Sequence, residues 1–281
     1  MKTGYRRHEE FVKILKTLIF MAIGVTFLLP LLWMISSSLK TPAEVFQQDF
    51  HWLPEVPRWH NYKEVWLDSE VTMARGYLNS IYITFFSIVF KLFFASLAAY
   101  AFAKIDFKGR DVIFMIFLST MMIPTEVTLI PRFMLFKELG LYNSRWAIIL
   151  PNWFAPGAVF MLRQFYMGLP NDLMEAAKID GAGHSRIFAQ ILLPLTKAAL
   201  VSQCVLSFVS CWNEYMAPLV FLVKKNLYTV AQVVQWTMMD EAARTDLTMA
   251  ASTCAIIPVV IIFMLCQRYF VEGIATSGVK G

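Results

Sequence analysis

Charge is scarce in this chain. Asp, Glu, Lys and Arg make up 16% of its 281 residues, against about a quarter in an ordinary soluble domain. With 58% hydrophobic residues, that scarcity excludes a set of solvated domains and points to an integral membrane protein with few large soluble parts. The basic excess is small, 25 Lys and Arg against 20 Asp and Glu. No basic cluster is interleaved with aromatics, so nucleic acid is not expected as a partner. Histidine is rare too: His8, His51, His60 and His184 lie far apart and outside the apolar runs. Without a His-rich motif, a Ser/His arrangement or paired intramembrane carboxylates, a membrane-embedded enzyme is disfavoured.

Other absences narrow the choice further. The four cysteines, Cys204, Cys211, Cys254 and Cys266, all fall in apolar segments and read as small buried apolar residues. No CxxC or Cys/His spacing suggests a metal. No small-residue cleavage site follows the first apolar run, so that run reads as a span and not a removable leader. No G-x-x-x-x-G-K-[ST] sequence is present, so the chain does not hold ATP in that manner. No internal repeat is visible, which argues against a secondary transporter built from two related halves.

What the chain does have is apolar sequence in lengths that fit a bilayer, about 20 residues per helix. Six runs qualify, at about 14–36, 78–103, 112–135, 145–167, 198–222 and 248–270. The expected fold is all-α, one transmembrane domain over 1–281 with six spans. Pro30, Pro124, Pro131, Pro156, Pro218 and Pro258 lie in or near these runs and predict a kinked bundle. Lys2, Arg6, Arg7, Lys13 and Lys16 stand at the start of the first run, and Lys104, Lys108 and Arg110 in the short loop KIDFKGRD. The positive-inside rule then puts both termini in the cytoplasm of a multi-pass cell-membrane protein. The segment 37–77, with Trp52, Trp59, Trp66, Pro42, Pro54 and Pro57, suits the outer interface.

One stretch interrupts the apolar pattern, EAAKIDGAGHSRIFAQILLP at 175–194 in the cytoplasmic loop 168–197. Asp172 with Glu175 three residues on resembles a capping box. Leu173, Ala176 and Ala177 form a small apolar face. Gly181 can supply the positive φ that ends a helix. A second helix from Ser185 to Leu193 carries Ile187, Ile191, Leu192 and Leu193 inward, and Pro194 sits at the junction with the fifth run. The segment therefore reads as helix, glycine turn, helix. From the residues alone it is either a self-contained hairpin on the membrane surface, with Glu175 only capping, or a handle whose Glu175 and Asp180 meet a cation on a partner.

The same stretch resembles the EAA loop of ABC importer permeases: E-A-A, three residues, Gly181, then I-x-L-P closing at Pro194. Four further blocks resemble the carbohydrate-uptake type in order. They are NSIYITFFSIVFKLFFASLAAYAFAKIDFKGRD, MMIPTEVTLIPRFMLFKELGLYNSRWAIILP, SFVSCWNEYMAPLVFL and QRYFVEGIATSGVKG. The resemblance implies a six-helix permease bundle with a cytoplasmic coupling hairpin. It also implies a second homologous permease subunit, two ATP-binding subunits that carry ATP and Mg, and an extracytoplasmic solute-binding protein. The substrate would be a sugar or oligosaccharide, moved by alternating access. Glu175, Ala176, Ala177, Asp180 and Gly181 would form the contact with the ATPase. No cofactor would be bound by this chain.

Polar groups within apolar runs tend to face an interior or a cavity. Lys91, Glu126, Gln203, Asn213 and Glu214 are read this way, with Lys91 able to snorkel or to pair with Glu126. Trp212, Asn213, Glu214 and Tyr215 resemble sugar-binding chemistry, since aromatic faces stack on pyranose rings and amides and carboxylates take hydroxyls. The alternative is that they join helices. In the resembled family the loop 223–247 meets the binding protein, which makes Tyr228, Gln232, Gln235 and Trp236 candidates for that contact. An ordinary outer connector is the alternative. The tail, with Gly273, Gly278 and Gly281, suits an extended path between subunits. The same type of importer for a glycerol phosphodiester or another phosphate ester is the second reading. It would want more mid-span cations than Lys91.

Overall fold

The computed structural model describes residues 2–47, 51–239 and 244–278, with side chains for 10–47, 51–239 and 244–267. Among the described residues every regular element is helical. The chain divides into two compact units, Met1–Glu70 with Val234–Cys254, and Val71–Val233 with Ala255–Gly281.

In the first unit, helix Lys2–Ser37 contains an apolar stretch, Glu10–Ser37, whose most apolar window is 0% buried. Pro30 lies inside it without ending it. Past Ser37 the chain turns on the side chain of Asn61, whose Nδ2 donates to the carbonyls of Ser38 (2.9 Å) and Lys40 (3.0 Å). A capping box follows: the Thr41 hydroxyl accepts from Glu44 N–H, and the Glu44 carboxylate from Thr41 N–H at 2.6 Å. That pairing holds the Glu44 carboxyl below its usual range. Arg244 bridges Asp246 (3.1 Å) and Glu64 (3.2 Å), and these carboxylates push its guanidinium further up.

The second unit is organised by helix Met73–Lys104. Its buried face reads Met73, Gly76, Asn79, Ser80, Ile83, Thr84, Ser87, Ile88, Ala95, Ser96, Ala99 and Tyr100. The spacing is that of one helical face, and most of these residues are small, which lets neighbouring backbones come close. Helices Pro156–Met167 and Lys197–Trp212 pack against it. An added Cβ on Gly76 would lie 2.8 Å from Val233 Cγ2 and 3.5 Å from the Val230 backbone.

Most of the other expected spans are broken. Run 112–135 becomes Arg110–Ser119, a 3-10 turn Thr120–Met122, then Thr125–Glu138, with a bend of 95°. Pro124 is the cause: it lacks an N–H and pushes Ile123 into extended backbone (φ −84, ψ 115). Run 145–167 becomes Trp146–Ile149, a 3-10 turn Leu150–Trp153 holding Pro151, and a helix Pro156–Met167 of 12 residues. Run 198–222 stops at Trp212 and resumes as Met216–Phe221. Among the described residues, three helices are long and apolar enough to cross a membrane, or up to five when each of two bent pairs counts as one span.

Irregular backbone needs hydrogen-bond partners, and between Pro218 and Tyr228 amide side chains supply them. Gln232 Nε2 donates to the carbonyls of Pro218, inside the Met216–Phe221 segment, and Leu222, just past it (both 3.2 Å). Asn143, at φ +56, accepts from Val223 N–H (2.8 Å) and Lys224 N–H (3.1 Å). Asn79 donates to the carbonyls of Asn226 and Tyr228 while its oxygen takes both Nε and Nη2 of Arg145. The tail departs from expectation: helix Thr245–Gly278 continues through Gly273, because nothing after Pro258 interrupts it. Gly281 lies outside the described residues.

The close approach at Gly76 is testable. Gly76→Leu should overpack the Val233 contact and cost about 1–3 kcal/mol, lowering the thermal midpoint of the purified membrane protein. The milder Gly76→Ala should recover when Val233→Ala is added. An unshifted midpoint in Gly76→Leu would rule out the contact.

Candidate functional site

The hairpin at 168–197 forms as expected in outline and differs in its caps. Helix Asp172–Ile179 has Asn171 at its N-cap with no side-chain cap bond. The Asp172–Glu175 capping box is thus not formed. The Asn171 oxygen, which could have capped, instead accepts from Lys104 Nζ at 2.7 Å. Lys104 also donates to the Leu169 carbonyl at 2.7 Å, tying the hairpin's entry to the end of helix Met73–Lys104.

The C-terminal end follows the glycine rule. Gly181 sits at φ +77. Its N–H donates to the Lys178 carbonyl (3.0 Å) and Ala182 N–H to the Ala177 carbonyl (2.9 Å), the paired bonds of a Schellman motif. Helix His184–Ile187 follows, then a π-helical turn Phe188–Leu192 and a short helix Leu193–Leu195. Thr196 ends the hairpin, and helix Lys197–Trp212 leaves at 76°.

Packing sets which residues face out. Met174, Ala177, Ile187 and Leu192 are buried with Ala99, Tyr100, Leu162, Tyr166 and Ala199. Ile187 and Leu192 are fully enclosed, each contributing about 1.5–3 kcal/mol. A hydrogen bond between the Tyr100 hydroxyl and His184 Nδ1 at 2.9 Å is added. Ala177 therefore belongs to the hairpin's own core and not to the outward face with Ala176. The outward stripe is Leu173, Ala176 and Ile179, the last 86% exposed, with Asp172, Glu175 and Asp180 exposed beside it. The result is a rigid element backed by apolar packing, showing a small apolar stripe rimmed by carboxylates.

The other candidate residues scatter. Trp212 is 2% exposed, donates from Nε1 to the Ala255 carbonyl (2.9 Å), and has its ring against Phe208 and Tyr77. Asn213 is exposed and Tyr215 half-buried. Glu214 accepts from Ala217 N–H at 3.0 Å and lines a cavity. Gln203 bonds Ser207 on its own helix, and Lys91 forms no ion pair with Glu126. Gln232 is 4% exposed with its amide used internally, whereas Tyr228, Gln235 and Trp236 are half-buried. Sequence reasoning passed over Arg132, another cation within an apolar run. The available signal was the charge itself at Pro131–Arg132.

Residues 91–276 match the family described as "Binding-protein-dependent transport system inner membrane component". The arabinooligosaccharides transport system permease protein AraQ of Bacillus subtilis is 34% identical over 271 residues, 96% of each chain. The sn-glycerol-3-phosphate transport system permease protein UgpE of Yersinia pestis is 32% identical over 266 residues, 92% of this chain and 95% of that protein. Among solved structures, a bacterial ABC transporter involved in import of the acidic polysaccharide alginate superposes with a TM-score of 0.82 and 26% identity. That match covers 94% of this chain and 98% of the other.

The left-handed turn gives a direct test. No atom stands within 4 Å of a Cβ added at Gly181, so only backbone strain opposes a side chain. Gly181→Val should cost at least about 1–2 kcal/mol and speed hydrogen exchange at the Gly181 and Ala182 amides. Gly181→Asn, a residue that tolerates this conformation, should change exchange little. Equal effects of the two variants would refute the turn assignment.

Proposed function

This chain belongs to the family of binding-protein-dependent transport system inner membrane components, and from that membership we propose that it is one of two transmembrane subunits of an ATP-driven importer for a sugar or oligosaccharide. In this reading the chain crosses the cytoplasmic membrane six times, with both termini in the cytoplasm. The crossing at 145–167 is made by the broken segment from Trp146 to Met167. A second, homologous permease completes the pathway. Two ATP-binding subunits carry ATP and Mg, and an extracytoplasmic binding protein delivers the substrate near 223–247 through Tyr228, Gln235 and Trp236.

The observation that carries the reading is the hairpin 168–197. It combines a buried apolar back, a fixed Schellman turn and an outward stripe of Leu173, Ala176 and Ile179 flanked by Glu175 and Asp180. A soluble lid or a surface anchor does not require a stiff, outward acidic rim. A cleft on an ATPase that closes and opens does, because force passes only through an element that does not deform. Glu175 and Asp180 would meet an Arg or Lys there, and Ala176 would allow close approach. The sugar assignment draws support from AraQ and the alginate importer, each named for a saccharide. UgpE, named for a phosphate ester, keeps the second reading in view.

Glu175→Lys in the reconstituted importer should leave the membrane subunits folded and cut ATP-dependent sugar uptake by about tenfold or more, since a like-charge contact replaces an ion pair. Uptake at the wild-type rate would remove the docking assignment.

A further inference from the structure

A cavity of about 360 Å³ lies inside the second unit, where Thr125–Glu138, the turn Leu150–Trp153 and the break after Trp212 meet. That volume is in the range of small-molecule sites, about 300–1,000 Å³. Its wall includes Thr125, Glu126, Arg132, Asn152, Ser210 and Glu214. Three of these are charged, within segments whose sequence is otherwise apolar. Charges at such depth are costly and mark ligand paths.

These groups do not satisfy one another. Arg132 Nε is buried with no hydrogen-bond partner. Its guanidinium lies over the Phe221 ring at 5.3 Å and feels the Glu214 carboxylate without forming an ion pair. Glu214 accepts only the Ala217 N–H, and Glu126 only the Thr125 hydroxyl at 3.2 Å. Asn152 donates to the Ile148 carbonyl at 2.9 Å and leaves its oxygen free. A buried unpartnered donor costs about 1–3 kcal/mol. Beyond its place over Phe221, Arg132 makes no hydrogen bond to the helices it touches.

We propose that this cavity is a sugar-binding subsite contributed by this chain itself, taking one or two neutral, hydroxyl-bearing rings. The proposal rests on the sugar reading above. The Arg132 fork donates to ring and hydroxyl oxygens. Glu126 and Glu214 accept hydroxyl protons, and the Asn152 oxygen accepts another. Net charge selects the class. The wall carries two carboxylates, Glu126 and Glu214, against the one guanidinium of Arg132. No excess positive charge remains to draw in a phosphate ester.

The test is uptake by the complete importer with its binding protein in proteoliposomes, using labelled arabinotriose, raffinose and sn-glycerol 3-phosphate. Arg132→Met, in complexes whose subunits still co-purify, should lower sugar uptake about tenfold or more, the loss expected for hydrogen bonds from a charged group. Asn152→Ala should change the ratio of arabinotriose to raffinose uptake several-fold, whereas a general folding defect slows both alike. If Arg132→Met does not assemble, the Asn152→Ala ratio decides. Wild-type rates and ratio in the assembled variants would overturn the subsite while leaving the sugar reading intact. A wild-type importer that moves sn-glycerol 3-phosphate and neither sugar would overturn the sugar reading, and the subsite with it.

Discussion

The second unit depends on one constraint: backbone interrupted within an apolar protein must find its hydrogen bonds inside the protein. Three of the runs that look continuous by composition are broken, at Pro124, around Pro151 and Pro156, and after Trp212. Each break frees carbonyls and amides. Past the last of them, the side-chain amides of Gln232, Asn143 and Asn79 hold the irregular backbone between Pro218 and Tyr228. The buried face of Met73–Lys104 is rich in small residues, Gly76, Ser80, Ala95 and Ala99 among them, which lets neighbouring backbones come close. Packing and polar satisfaction are therefore one problem here, solved on one helix.

The same helix anchors the hairpin. Tyr100 and Ala99 join its apolar back, Tyr100 reaches His184, and Lys104 holds Leu169 and Asn171. The hairpin is made of very short helices that would not persist alone, since isolated helices under about 12–15 residues are marginal in water. Its rigidity comes from burial of Ile187 and Leu192, from the Lys104 clamp and from the Schellman bonds. Those contacts keep one face closed and leave Leu173, Ala176 and Ile179 outside.

Composition made the helical, membrane-embedded class legible, and Gly181 made the turn legible, because only a residue at ease with positive φ suits that position. The caps were not legible. Asp172 and Glu175 have capping-box spacing, but cap choice turned on Lys104, 67 positions from Asn171, which no local pattern encodes. Trp212 and Gln232 were hidden for the same reason: their side chains are claimed by the Ala255 carbonyl and by Pro218 and Leu222, contacts set by tertiary structure. The prolines announced breaks without their angles, such as the 95° bend at Pro124. Arg132 was visible as a charge in an apolar run, and the unbonded burial of its Nε was visible only in three dimensions.

Helix Met73–Lys104 has 32 residues and, at about 1.5 Å per residue, is ~48 Å long. With its last residue fastened to the hairpin, it is a lever whose short arm is the Lys104 clamp. A tilt of about 5° over that length sweeps the far end through roughly 4 Å, enough to part or join side chains that were in contact. A shallow rocking at the hairpin end would thus be amplified into a larger displacement at the far end of the rod, with no need for any bond within it to stretch.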